Sequence, residues 1–174
     1  PGRTKVSALE STDTCILPGV MPGTGPFPRS ASRLVSGATA TTLAAIRAGA
    51  AATGLRNPVR DYAVLGCSLA IQTAQLLANL DLEDGMQIFI EGGFRHNVGY
   101  QKVLSALCPR ARIVLSSLKE ATAFGTGLLA LAALEGCTLD ALRSSVRIET
   151  TPVAPAAFPG LAAYRARFLA LAAG

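Results

Sequence analysis

IFIEGGFRHN, residues 88–97, decides how the rest of the chain is read. With Gln87, its opening residues make a short β-branched and aromatic run, which reads as a buried strand over 87–90. Glu91-Gly92-Gly93 turns that strand into a loop, and a helix is expected to begin near Asn97. Where a strand stops at glycines and a helix starts soon after, a ligand can come close. Glycine has no Cβ to hold it off the backbone. The helix N-terminal amides then offer donors and partial positive charge to an anion. Gly92 and Gly93 would admit the ligand, and Asn97 would cap the helix or turn its amide toward it. The same residues also fit an ordinary tight strand-to-helix turn. Both readings stand at this point.

Working outward, Tyr62 to Asn79 carries apolar residues at helical spacing, with Gln72, Thr73 and Gln75 on the other side. Asp84-Gly85 is a turn before the strand. After it, residues 97–107 read as a helix stopped by Cys108-Pro109, and 112–115 as a second strand. Ser116-Ser117 leads into a long helix from about Lys119 to Leu134, closed by Gly136. Two strands separated by a helix call for a right-handed crossover in a sheet covered by helices.

The flanks are less regular. Residues 43–52 read as a short helix, and Asn57-Pro58 as punctuation after it. Residues 151–160 hold three prolines and read as a tether, and 161–173 as a final amphipathic helix. Residues 1–42 are rich in Gly, Pro, Ser and Thr, with short apolar stretches only at Val6–Leu9 and Cys15–Leu17. LPGVMPGTGPFP (17–28) has four prolines and three glycines and must be loop. The expected organisation is a loop-rich lead-in over 1–42 and the main domain over 43–174.

Composition narrows the function classes. A chain of 174 residues suits one domain with a real core. Half of it is hydrophobic, mostly Ala, Leu and Val, with no Trp, which suits helices packed on a sheet. The greasiest run, Ala121 to Leu134, contains Gly125 and Gly127 and is too short to cross a bilayer, so no membrane partner is expected. Pro1 to Lys5 does not read as a leader, and a cytoplasmic protein is expected. The net charge of +5 comes from 16 scattered Lys and Arg, with no basic–aromatic alternation, so no nucleic acid polymer is expected as partner. Cys15, Cys67, Cys108 and Cys137 stand far apart and His96 is the sole histidine, which argues against zinc and for reduced thiols. No metal ligand set is assigned.

Taken in order, AVLGCSLAIQTAQLL (63–77), IFIEGGFRHN (88–97), ARIVLSS (111–117) and KEATAFGTGLLALAALEG (119–136) resemble the C-terminal domain of the FGGY carbohydrate kinases. These are relatives of glycerol kinase, xylulokinase, ribulokinase and fuculokinase. There, too, a helix precedes a strand ending in Gly-Gly, an Asn stands four residues later, and a second strand leads to a Glu-Ala-x-Ala-x-Gly helix. The resemblance implies an actin-like ATPase (ribonuclease-H-like) α/β domain, with a mixed sheet covered by helices. It also implies ATP-dependent phosphorylation of a sugar or polyol hydroxyl, with Mg²⁺ bridging the phosphates. Gly92, Gly93 and Asn97 would hold the adenosine end of ATP, and the Ala121–Gly127 helix would pack behind it. A homodimer is compatible with this reading.

A fainter echo, LESTDT (9–14), is similar to the family's Leu-Gly-Thr-Ser-Asp-Thr turn near the phosphates and makes Ser11 and Thr12 candidate phosphate ligands. Glu10 stands there in place of glycine, where it would repel phosphate. The general-base Asp of the family lies upstream in a Gly-x-x-Asp context that residues 1–8 lack. The catalytic base is therefore not found in this chain, which alone is expected to be inactive. Cys67 replaces a carboxylate carried by many members. The alternative is a non-catalytic nucleotide-binding or interaction module on the same fold. A Rossmann-like domain is disfavoured, since no G-x-G-x-x-G follows residues 87–90.

Other polar residues have structural readings first. Arg95 and His96 are exposed helix-entry residues, Glu120 opens a helix, and Asp61 caps one. Phe94 and Tyr100 pack between helix and sheet or flank a base. Gly125 and Gly127 cost about 1 kcal/mol each inside a helix, which suggests close contact with another backbone or with the nucleotide.

Overall fold

A computed structural model describes residues 13–21, 23–49, 57–154 and 156–173. β1 (Thr14–Leu17), β2 (Arg33–Ser36) and β3 (Thr39–Thr42) form an antiparallel meander, with Cys15 opposite Val35 and Val35 opposite Ala40. Gly37 reverses the chain between β2 and β3 with φ +57°, a left-handed conformation that glycine adopts without steric cost. A second sheet holds β4 (Gln87–Ile90) and β5 (Arg112–Ser116) side by side and parallel, Ile88 opposite Ile113. The helix after Asn97 joins them, as the crossover rule requires. β6 (Thr150–Pro152) adds to the other edge of β5, antiparallel, with Ser116 opposite Thr150.

Two of these elements differ from the sequence expectation. Residues 33–42 fall in the loop-rich lead-in, where no strand is assigned from sequence, yet they pair as β2 and β3. The tether over 151–160 begins inside β6, whose Pro152 needs no amide partner at the end of an edge strand.

Six α-helices are present among the described residues: α1 (Leu43–Arg47), α2 (Pro58–Leu77), α3 (Val98–Leu107), α4 (Ala121–Glu135), α5 (Leu139–Leu142) and α6 (Leu161–Ala173). α1 is shorter than expected, because Gly49 leaves the helical region at φ +66°. α2 is longer. Asn57-Pro58, read from sequence as a break, is its start: Asn57 Oδ1 accepts from the Arg60 amide at 3.1 Å, and proline occupies the first turn. Asp61 completes the cap in reverse, its Oδ2 accepting from the Asn57 amide at 3.1 Å.

α2 and α6 both reach β1. Ser68 Oγ donates to the Ile16 carbonyl at 2.5 Å, and Tyr164 Oη donates to the Thr14 carbonyl at 3.0 Å. Cys15, Leu17 and Val35 from the meander share one buried core with Ile90 and Ile113 from the second sheet, Cys67 and Ile71 from α2, Val103 and Leu104 from α3, and Tyr164 and Phe168 from α6. Burying a side chain as large as Phe168 contributes about 2–3 kcal/mol.

α4 stands apart from that core. Gly136, at φ +61°, ends it as expected. Only Ala132 is buried along its length, while Phe124, Leu129, Leu131 and Leu134 face outward. A Cβ added at Gly125 or Gly127 would meet nothing within 4 Å beyond its own helix and chain neighbours, so neither glycine is held against another backbone among the described residues. Among the described residues no single helix is long and apolar enough to cross a membrane.

Candidate functional site

β4 delivers the chain at its carboxyl end to Glu91, and residues 92–96 then make one 3-10 turn before α3 begins. The two glycines of that turn differ physically. Gly92 has φ +60°, so a side chain there would be strained whatever the space around it. Gly93 is outside the left-handed region, and a Cβ built on it would meet nothing within 4 Å. Neither backbone conformation nor packing among the described residues calls for glycine at 93.

Asn97 Oδ1 accepts from the Tyr100 amide at 3.0 Å and caps α3. The rest of its amide lies against α2, where a Cβ on Gly66 would sit 3.9 Å from Asn97 Nδ2. Among the described residues Nδ2 donates to no protein group. Between α2 and the turn lies an open groove of about 300 Å³. Tyr62, Leu65, Gly66 and Leu69 form one wall, and Gly93, Phe94 and Asn97 the other. No charged side chain lines it.

The turn is held from behind by Gln101, a residue that the sequence reading passed over. Its buried amide Nε2 donates to the carbonyls of Phe94 at 2.9 Å and Arg95 at 2.7 Å. The Phe94 ring packs on the Tyr100 ring with centroids 4.5 Å apart, and Tyr100 Oη shares a 2.9 Å hydrogen bond with Thr73 Oγ1. Burial pushes the Tyr100 phenol above its ordinary pKa, so the ring stays neutral and supports the turn. Arg95 Nη1 donates to the Leu118 carbonyl at 2.9 Å and ties the loop after β4 to the loop after β5. His96 is exposed at the helix entry.

Gly92, Gly93 and Asn97 are thus brought together on one short stretch. Ser11 and Thr12 lie outside the described residues, as does Glu10. Of the LESTDT stretch the structure describes Asp13 and Thr14. Thr14 starts β1, buried, and its Oγ1 shares a 3.1 Å hydrogen bond with Ser36 Oγ and accepts from Arg60 Nη2 at 3.4 Å. Cys67 is buried, and its thiol is pushed up to about 12 by burial, so it remains a neutral packing group. Among the described residues no three of His, Cys, Asp or Glu are grouped to hold a metal ion. Gln101 could have been suspected as a polar residue one turn into α3, three residues before Leu104 and so on the same face. Tyr62 and Gly66 gave no local signal, because the groove they line exists only once α2 meets the turn.

A second cleft, of about 310 Å³, opens beside the loops that precede β4 and β5 and is lined by Leu77, Leu80, Cys108 and Arg165 among others. Ligands of open α/β sheets gather instead beyond the carboxyl ends of strands, where the Gly-Gly turn lies.

The family model for the C-terminal domain of carbohydrate kinase FGGY matches residues 2–138. A solved carbohydrate kinase from Novosphingobium aromaticivorans is similar in structure, with a TM-score of 0.62 and 19% identity over 95% of this chain. That alignment takes in 30% of the kinase, so the chain spans under a third of that protein's length. No curated protein matches in sequence.

Proposed function

Because the chain belongs to the FGGY carbohydrate kinases, with the actin-like α/β fold of their C-terminal domain, we propose that it holds the adenosine end of ATP in the groove beside Gly93. The observation that carries this reading is Gly93 itself. A glycine without a conformational or packing reason, placed in a groove at the carboxyl end of a parallel strand, leaves room for something that is not protein. The residues fit a nucleoside. Apolar walls from Leu65, Leu69 and Phe94 suit the flat ring, Asn97 Nδ2 has a donor to spare, and the backbone at Gly93 is open to approach.

Bound ATP would supply the γ-phosphoryl group for a sugar or polyol hydroxyl, with Mg²⁺ on the phosphates spreading the developing charge. This chain's part is to fix the nucleoside. Gln101 and Arg95 keep the turn in one shape, and α2 closes the other side. The reading places the protein in the cytoplasm, where ATP is at hand and thiols stay reduced.

Titrating ATP into the wild type, Gly93→Val and Asn97→Ala, with melting curves in parallel, tests this. Gly93→Val should weaken ATP by more than tenfold, or about 1.4 kcal/mol, with an unchanged Tm. Wild-type affinity in that variant would mean that the turn is only a turn. Asn97→Ala should lose affinity and, through the cap, about 1 kcal/mol of stability.

A second reading, a nucleotide-binding module without catalysis, draws on the absence of any carboxylate from the groove lining. Under the kinase reading the base comes from outside this chain, which alone should release no ADP in response to sugar. Robust sugar-dependent ADP release from these 174 residues would overturn the missing-base argument.

A further inference from the structure

The second cleft lies at the other end of α3 from the Gly-Gly turn and joins a further one that the nucleotide reading does not use. We propose that the two together bind a small carboxylate with an apolar tail, its head on Arg165 and its tail along Leu107. This inference is independent of the nucleotide reading.

α3 runs from the turn at Asn97 to the cleft at Leu107, a span of about 15 Å for its 10 residues. The cleft of about 310 Å³ lies between the end of α2 and the loops before β4 and β5. Its neighbour, of about 420 Å³, lies between the end of α3 and the start of α6, walled by Ala106, Phe158, Leu161 and Ala162. Leu107, Pro109 and Arg165 line both, so the two are lobes of one groove with these residues at its waist. Leu77, Leu107 and Phe158 pack against the core and stay partly open to the groove, and Leu80 is 57% exposed. Such walls favour an apolar occupant over water.

Among the described residues the lining has three charged side chains, Glu83, Arg110 and Arg165. Arg110 Nε is engaged by Asp84 Oδ1. Arg165 is half-buried and makes no hydrogen bond or ion pair among the described residues, with Glu83 or any other group. Its charge reaches the first lobe, where the Cys108 thiol senses it. Burial pushes that thiol above its ordinary pKa, and Arg165 offsets part of the rise. The thiol stays neutral at pH 7 and cannot balance the cation. One cation without a counter-charge, set between two apolar lobes, complements a monoanion that carries an apolar group. A carboxylate matches the planar guanidinium oxygen for N–H, whereas a phosphate dianion would find a single cation for its two charges.

The test is titration of the full chain with octanoate, followed by amide chemical shifts, beside 1-octanol, octylamine and butyrate. Octanoate should saturate near 1 mM, since about five methylenes buried at about fourfold each give that affinity. The shifts should centre on Leu80, Leu107 and Arg165 and spare Gly93. Octanol, without the charge, should bind about three- to tenfold more weakly, and octylamine more weakly still. Butyrate, four methylenes shorter, should lose more than about tenfold. Arg165→Gln should bring octanoate down to the level of octanol, Arg165→Lys should restore most of the difference, and Arg110→Gln should change nothing. Melting curves show whether each variant is folded, and the headgroup comparison on the wild type decides the matter if Arg165→Gln is not. Equal affinity for octanoate and octanol would overturn the proposal. So would unchanged octanoate affinity in folded Arg165→Gln, shifts confined to α4 or to the Gly93 groove, or no saturation at about ten times the expected concentration.

Discussion

Gln101→Leu takes away the amide that ties the Gly-Gly turn to α3 while keeping much of the side-chain volume. Two hydrogen bonds are lost, at 2.9 and 2.7 Å, each worth about 0.5–1.5 kcal/mol net. Two effects reduce the sum. The Phe94 carbonyl keeps its bond from the Asn97 amide, and both carbonyls lie near enough to the surface for water to replace part of what is lost. Leucine also regains the apolar burial of a site that is only 4% exposed. A net loss of about 1–2 kcal/mol remains, which for a domain of this size lowers Tm by about 2–8 °C. Hydrogen exchange should localise the effect, with faster exchange at the amides of Arg95, His96 and Asn97 than elsewhere. ATP affinity should fall too, although Gln101 does not line the groove. Gln101→Glu separates shape from donation. Its carboxylate would face two carbonyl oxygens, so it should be less stable than the leucine variant. A Gln101→Leu protein that melts within about 1 °C of wild type with unchanged exchange in the turn would refute the clamp. So would a glutamate variant more stable than the leucine one.

Two further outcomes follow from buried and exposed extremes of the same chain. The Cys67 thiol has a folded-state pKa of about 12 against an ordinary 9.0, so its stabilising effect is complete below pH 9 and is lost as pH rises toward 12. Cys67→Ala should therefore remove about 1.4 kcal/mol per pH unit from the alkaline slope of urea-unfolding stability, and an unaltered slope would disprove the assignment. On α4, Leu131 and Leu134 are 41% and 85% exposed, so lysine at both should change stability by no more than about 0.5 kcal/mol while reducing self-association in light scattering. A large drop in Tm would show that this face is packed after all.

What could be read in advance was what local sequence determines. β4 and β5 appear where expected because QIFI and RIVL are short β-prone runs bounded by turn residues, and both are covered by helices with clear periodicity. β2 and β3 were invisible because RLVS and TATT carry little apolar alternation and sit among Ser, Gly and Thr. Their strand character comes from partners far along the chain: β2 pairs with β1, and Arg33 Nη2 donates to the Leu171 carbonyl at 2.7 Å. Asn57-Pro58 punctuates the chain as expected, but its exact role was not legible. An Asn-Pro pair can end one element or start a helix, and the Arg60 amide bonded to Asn57 Oδ1 marks it as a start.

The candidate site is a proposal of another kind. Gly92, Gly93 and Asn97 could be named from their spacing, but two glycines in a row look alike in sequence. With φ +60°, Gly92 is explained by the backbone alone and would be glycine in an ordinary turn. With ordinary φ and open space where its Cβ would be, Gly93 has no such explanation. The turn reading accounts for the first glycine and leaves the second to the ligand reading proposed above. A substitution at 92 would therefore report folding, whatever the function. Only a substitution at 93 can report binding without disturbing the fold, which is why valine at 93 is the variant on which the nucleotide assignment turns.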